Sequence, residues 1–115
     1  STIVKADRNQ LLRLFINILK NATQAVQDQE NKLIEIKYLL DYDHVIVSIY
    51  DNGKGMNEEE KKKIFTPYFT TKSFGTGLGL YISKNIIKAH GGEITFESSV
   101  ENGTTFYIKL PMFSE

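Results

Sequence analysis

Two asparagines, Asn17 and Asn21, stand four residues apart in the run Leu14-Phe-Ile-Asn-Ile-Leu-Lys-Asn-Ala-Thr-Gln-Ala25. If that run is helical, their side chains lie about 40° apart around the axis and share one face. They fall at the border of the apolar arc, beside Leu14 and Ala25. Each amide offers one acceptor oxygen and two donors, and the oxygen is a hard ligand suited to Mg²⁺. The same positions also suit partly exposed polar residues of an amphipathic helix. Asp51 follows an apolar run and precedes Gly53 and Gly55. A carboxylate at a strand end, next to permissive backbone, can accept from a ligand amino group, although Asp-Asn-Gly is also common turn chemistry.

Three more glycines alternate at Gly75, Gly77 and Gly79, leading into a second helical pattern. The first turn of a helix has N–H groups without intrahelical acceptors and the positive end of its dipole, which together attract anions. Three glycines weaken a helix start, so an anion-cradling loop explains them better than a plain turn. The spacing is not the dinucleotide fingerprint, and no Gly-Lys-Ser/Thr makes a P-loop. Lys72, three residues before the loop, could place a positive charge on a terminal phosphate. Lys20 lies outside the apolar arc and reads as solvated.

Composition narrows the field without naming a reaction. The 115 residues hold no cysteine, two histidines and 14 basic against 14 acidic side chains. Disulfides and thiolate metal sites are excluded, and His44 and His90 are too few for a histidine cluster. A formal net charge of zero gives no general attraction to nucleic acid or acidic membrane. No apolar stretch approaches the ~20 residues that span a bilayer. The length supports one domain, 1–115, with its own core.

The elements that must position these residues follow from periodicity. Residues 8–28 read as a helix, with Leu11, Leu14, Phe15, Ile18, Ala22, Ala25 and Val26 on one side and Asp7 as N-cap paired with Gln10. Residues 33–40 alternate, with Ile34, Ile36, Tyr38 and Leu40 on one face. Residues 44–50 are apolar on both faces, as in an interior strand, and Asp41-Tyr42-Asp43 joins the two as a hairpin. Regular patterning then stops until Leu78, apart from a turn or two at 58–63 where Glu58 faces Lys62 and Glu59 faces Lys63. Residues 78–90 read as a helix stopped by Gly91-Gly92, with His90 favouring its C-terminal dipole. Strands at 93–98 and 104–110 close the chain around Glu101-Asn102-Gly103. The expected fold is α+β: a two-layer sandwich with a mixed, largely antiparallel sheet covered on one face by about three helices.

Taken together, the motifs resemble the ATP-binding catalytic domain of bacterial sensor histidine kinases. This belongs to the GHKL ATPase superfamily, which includes gyrase, heat-shock chaperone and MutL-type domains. The resemblance covers essentially the whole chain. Residues 14–25 are similar to the family's Asn-rich helix, and Asp51-Asn-Gly-Lys-Gly-Met56 to its first glycine motif. Ile64-Phe-Thr-Pro-Tyr-Phe-Thr-Thr-Lys72 is similar to the aromatic motif of the nucleotide lid, about 54–76. Gly75-Thr-Gly-Leu-Gly-Leu80 is similar to the second glycine motif, and His90-Gly-Gly with Asn102-Gly-Thr-Thr-Phe106 to the ending.

The resemblance implies ATP and Mg²⁺ as ligands, and a role for each matching residue. Asn21 would coordinate the Mg²⁺, and Asn17 would support the phosphate end. Asp51 would accept from the adenine amino group, with Gly53 and Gly55 letting the chain pass the base. Gly75, Thr76, Gly77, Leu78, Gly79 and Leu80 would offer backbone N–H groups to the phosphates, and Lys72 would approach the terminal one. Thr104 matches a position near the adenine. Where many sensor kinases carry Lys and Tyr after the Mg²⁺-binding Asn, this chain has Gln24 and Ala25.

In gyrase-like and MutL-like members a Glu that activates water stands four residues before the Mg²⁺-binding Asn; here it is Asn17, which cannot act as a base. That implies phosphoryl transfer to a protein side chain, a reaction that needs mainly positioning and charge neutralisation. No His-Glu-x-x-x-Pro-like acceptor segment occurs. The implied partners are therefore a dimerisation domain carrying the phosphoacceptor histidine and, downstream, a response regulator. Nucleic acid and direct membrane contact are not expected, and the implied location is cytoplasmic, in a full-length protein that is free or membrane-anchored. The alternatives are a serine kinase of the anti-sigma-factor type and a non-catalytic ATP-binding interaction module. Residues 54–76 are expected to be mobile without nucleotide.

Overall fold

The computed structural model describes residues 6–69 and 79–112. Helix α1 runs Arg8–Ala25, and the Asp7 carboxylate accepts the Gln10 N–H at 3.1 Å, as the cap pattern predicts. Leu14, Ile18 and Ala22 form its buried stripe. The helix stops at Ala25 rather than continuing to 28. The Ala25 carbonyl accepts the Lys54 N–H at 3.3 Å, while Gln27 and Gln29 bond back to Gln24 and Val26. A distant loop thus takes the acceptor that another α-turn would need, and the chain leaves in three-residue turns.

Strands β1 (Ile34–Asp41) and β2 (His44–Asp51) form the first hairpin, and β3 (Glu93–Ser99) and β4 (Gly103–Pro111) form the second. The spatial order is β1-β2-β4-β3, with every neighbouring pair antiparallel. Among the described residues the sheet is antiparallel throughout, in keeping with the α+β fold and largely antiparallel sheet expected. Hairpins need only short turns, and the one long connection, from β2 to β3, brings β4 back beside β2 in the opposite sense. The first loop is two residues, Tyr42 and Asp43, rather than three, and Tyr42 takes φ 56° to close it.

Val45 and Ile49 of β2 join Phe106, Ile108 and Leu110 of β4 on the helix-facing side of the sheet. Leu14, Ile18, Ile86 and Ile87 from the helices complete this core. The edge strand departs from expectation. Ile36 and Leu40 stand opposite Ile49 and Val45, so they share the core face as the alternation predicts. They are nevertheless exposed: among the described residues α1 packs mainly over β2 and along helix α3 (Gly79–Ala89), and of β1 only Ile34 is packed against the core.

Helix α2 spans Glu58–Lys63 and is capped by Asn57, whose side chain accepts the Glu60 N–H while the Glu60 carboxylate takes the Asn57 N–H. Its ion pairs are Glu58–Lys61 and Glu59–Lys62, not the four-residue pairs expected. Both spacings are within reach on a helix surface, and a helix this short leaves its last lysine outside either pair. Helix α3 ends as its sequence predicts: the Gly92 N–H bonds to the Ile87 carbonyl at 2.9 Å, and Gly91 takes φ 72°. His90 Nδ1 donates to the Ile86 carbonyl at 2.8 Å while Nε2 accepts the Asp7 N–H at 3.0 Å. One imidazole therefore ties the end of α3 to the start of α1. No described helix is long and apolar enough to cross a membrane.

Candidate functional site

The site lies where the C-terminal half of α1, the start of α3 and the ends of β2 and β4 meet. The buried polar residues among those described are Asp51, Ser83 and Thr104, and all three border this zone. Burying polar groups costs free energy unless they are paired, so such a concentration needs a reason beyond packing.

Asp51 closes β2 and is 3% exposed. Its Oδ1 accepts the Gly53 N–H at 2.9 Å, which bends the chain out of the strand and holds the carboxylate in one orientation. Thr104, 6% exposed, sits directly opposite on β4. Its hydroxyl lies 2.7 Å from Ser98 Oγ. Ser98 also donates to the Gly103 carbonyl at 3.1 Å and accepts the Met56 N–H at 2.9 Å. With the Ser98 proton on Gly103, the Thr104 hydroxyl donates to Ser98 and keeps its own lone pairs as acceptors. The β2–α2 connection is thereby pinned to β3.

The two glycines after Asp51 are required by backbone contacts. A Cβ on Gly53 would overlap the Ala25 carbonyl at the end of α1. A Cβ on Gly55 would overlap the Ser99 carbonyl of β3, and Gly55 also holds φ 64°. The loop that positions Asp51 is seated between α1 and β3 by these two approaches. Asn52 adds a third anchor, its Oδ1 accepting the Leu33 N–H at 2.9 Å and its Nδ2 donating to the Asn31 carbonyl at 2.6 Å.

On the phosphate side of the predicted site, Asn17 and Asn21 are both half-buried on one face of α1. Asn17 Nδ2 lies 3.5 Å from the Gly79 carbonyl in the first turn of α3, and the Ser83 hydroxyl donates to that carbonyl at 2.8 Å. Gly79 and Leu80 thus open a helix beside the asparagine face, where first-turn N–H groups lack intrahelical acceptors. Lys20 is exposed, as its wheel position predicts. Lys72, Gly75, Thr76, Gly77 and Leu78 lie outside the described residues.

The aromatic segment before them is anchored at its base. Phe65 packs edge-on against Phe96 with ring centroids 5.7 Å apart, Phe96 stacks toward Phe106 at 6.0 Å, and Lys84 Nζ sits 5.0 Å over the Phe65 ring. Of the expected lid, residues 54–69 are described and the remainder are not.

The sequence pattern did not single out Ser83, Ser98 or Asn52. Ser83 had a signal, being a polar residue at the apolar spacing of α3, in step with Ile86 and Ile87. The other two act through partners far along the chain, which no local spacing discloses.

Comparison with known proteins gives the family and agrees with the fold. Residues 6–114 match the family model described as histidine kinase-, DNA gyrase B- and HSP90-like ATPase. Sporulation kinase E of Bacillus subtilis (strain 168) is 48% identical over 109 residues, covering 95% of this chain and 15% of that protein. The signal transduction histidine-protein kinase AtoS of Escherichia coli (strain K12) is 44% identical over 109 residues, covering 95% of this chain and 18% of that protein. Among solved structures, a nucleotide-free catalytic domain of the histidine kinase ThkA superposes with a TM-score of 0.81 at 43% identity, over 94% of this chain and 70% of that one. The mycobacterial sensor histidine kinase MprB superposes at 0.83 with 27% identity, over 97% of this chain and 76% of that one. The chain spans from 15% of the first of these curated relatives to 26% of sporulation kinase C.

Proposed function

Because the chain belongs to the histidine kinase-, DNA gyrase B- and HSP90-like ATPases and is a kinase catalytic ATPase domain, we propose that it binds ATP with Mg²⁺ and donates the γ-phosphate to a histidine on a separate dimerisation and phosphoacceptor domain. The buried carboxylate of Asp51, fixed by the Gly53 N–H at 2.9 Å and facing Thr104 across the sheet, carries this reading. An ionised carboxylate accepts only, so it selects a base that presents an amino group.

Asn21 holds the Mg²⁺ through its amide oxygen. The donor set fits: a neutral hard oxygen on α1, and among the described residues no cluster of acidic or imidazole groups that would form an all-protein cage. Mg²⁺ favours few protein ligands, with phosphate oxygens and water supplying the rest, and when bound it neutralises charge on the phosphate chain. Asn17, beside the start of α3, orients the phosphate end, and Gly79 and Leu80 offer it N–H groups. From sequence alone, Gly75, Thr76, Gly77 and Leu78 continue that cradle and Lys72 faces the terminal phosphate. Residues 54–76 form the nucleotide lid.

Asn17 cannot deprotonate water, so the nucleophile is a protein nitrogen from outside the chain. The phosphorus–bridging-oxygen bond breaks as the phosphorus–nitrogen bond forms, and the electron pair leaves on ADP. A response regulator then receives the phosphoryl group, and the setting is cytoplasmic.

Calorimetry on this chain tests the reading. ATP should bind more tightly with Mg²⁺ than without it. Asn21→Ala should erase that difference while leaving the affinity for adenosine unchanged, and Asp51→Ala should weaken ATP and adenosine alike. ATP binding indifferent to Mg²⁺ in the unmodified chain would sink the proposal.

A further inference from the structure

Three polar side chains stand in one row across the end of the sheet that borders the site. Ser98 of β3 is paired with Thr104 of β4, and Thr104 with Asp51 of β2. The next row on the same face is Phe96, Phe106 and Ile49, which belong to the apolar core or pack on it. A whole strand separates Ser98 from Asp51, about 9–10 Å at the usual spacing of neighbouring strands. A group bound at Asp51 is therefore reached from Ser98 only through Thr104.

The Ser98 hydroxyl has three neighbours. Its Oγ lies 2.9 Å from the Met56 nitrogen, 3.1 Å from the Gly103 carbonyl and 2.7 Å from the Thr104 hydroxyl. A serine hydroxyl has one proton and two lone pairs. The Met56 N–H only donates and takes one lone pair, while the Gly103 carbonyl only accepts. Two proton arrangements remain. In the first, Ser98 donates to Gly103 and receives the Thr104 proton, so Thr104 shows a ligand lone pairs alone. In the second, Ser98 donates to Thr104, whose own proton then turns toward a ligand. The second gives up the bond from Ser98 to Gly103, so it is favoured only when a ligand accepts from Thr104. Two hydroxyl rotations interconvert them, and no heavy atom moves.

We propose that Ser98 is a positioning residue that sets which end of the Thr104 hydroxyl faces a bound nucleotide base, and that it ties this setting to the lid through Met56. Adenine presents an amino donor beside a ring-nitrogen acceptor, and a hydroxyl able to show either end suits both. The role deepens the ATP-binding reading and rests on it. The chain leaves the polar row at Asp51 and returns to it where Met56 bonds to Ser98, with Gly55 seated against the Ser99 carbonyl between them. One side chain thus joins the base-reading row to the start of the lid.

Calorimetric titration of ATP into the unmodified chain, Ser98→Ala, Thr104→Val and the double variant tests this. Each single variant should weaken ATP binding about 5-fold, the worth of roughly one hydrogen bond. The double variant should match Thr104→Val within about 2-fold, because Ser98 acts on the base only through that hydroxyl. Ser98→Thr keeps the hydroxyl and should bind ATP within about 2-fold of the unmodified chain. Hydrogen exchange reads the second arm: Ser98→Ala should release the Met56 amide, and Thr104→Val should not. Urea unfolding establishes that each variant is folded. A loss from Ser98→Ala that is absent, or equal in both backgrounds, would overturn this role while leaving ATP binding in place. Ser98→Thr as weak as Ser98→Ala, or Met56 protection indifferent to Ser98→Ala, would overturn it as well. An unmodified chain that binds no ATP would overturn the functional reading itself, and this role with it.

Discussion

Asp51 and Thr104 face each other across the β2–β4 ladder, both buried, Asp51 held by the Gly53 N–H and Thr104 by the Ser98 hydroxyl of β3. The sheet itself, rather than a mobile loop, sets their separation. A carboxylate and a hydroxyl fixed in this way are pre-organised to read one edge of a flat ligand, and neither has to give up rotamer freedom on binding.

Replacing Asp51 by alanine should weaken adenine nucleotide binding by about 1–3 kcal/mol, the cost of leaving a buried donor without its acceptor. Guanine nucleotides, which carry a carbonyl where adenine carries its 6-amino group, should lose nothing. Calorimetric titration of both nucleotides against both proteins separates the two; equal losses would mean that Asp51 supports the fold and does not read the base.

Two glycines with positive φ should respond differently to alanine. At Gly91 (φ 72°) a Cβ would find Pro111 Cγ at a comfortable 3.8 Å, so only backbone strain of about 1 kcal/mol is expected. At Gly55 the same strain is joined by overlap with the Ser99 carbonyl, so the loss should exceed about 2 kcal/mol. Urea unfolding of the two variants measures the difference, and equal midpoints would refute it.

The Tyr107 hydroxyl donates to the Glu97 carboxylate at 2.6 Å. That bond to the neutral phenol, with smaller contributions from burial and the carboxylate's charge, holds the Tyr107 pKa above the ordinary 10.0. A pKa raised in the folded state contributes stability that is whole below the unfolded value and lost as pH rises through the folded one. Ultraviolet titration should show one tyrosine ionising later than the others. That late phase should vanish in Tyr107→Phe and move to lower pH in Glu97→Gln.

Hydrogen exchange should divide the chain at Asp51. Amides of β2 between Val45 and Tyr50 are bonded on both sides by β1 and β4 and should exchange slowly. Those of α2 have no buried residue beneath them and should exchange much faster without nucleotide. Comparable protection in the two segments would contradict an opening lid. Phe65→Ala, which removes the contact with Phe96, should extend fast exchange toward residue 69.

Periodicity was enough to read α1, α3, both hairpins and the facing of β1, because each rests on local spacing. The end of α1 was not legible, since Lys54 takes the Ala25 carbonyl from across the structure. Nor was the exposure of Ile36 and Leu40: alternation states which face a residue occupies, while the reach of a helix over that face depends on packing. Asn17 was legible by motif, but the Gly79 carbonyl beside it was not, because the two are brought together only by the docking of α1 on α3. The polar anchors Ser98 and Asn52 look like ordinary hairpin-end residues in sequence, and their partners Met56, Leu33 and Asn31 become visible only in three dimensions.

The seating of the Asp51 loop has a genetic corollary. Gly53 rests on the last carbonyl of α1 and Gly55 on the last carbonyl of β3, so a side chain at either position dislodges a structural joint before it touches any ligand. Loss-of-function alleles at these codons should therefore behave as temperature-sensitive folding lesions, rescued by chaperones or low growth temperature. Alleles at Asn21 should not be rescued in that way. Suppressor screens would sort the motif into its mechanical and its chemical letters without a single binding measurement.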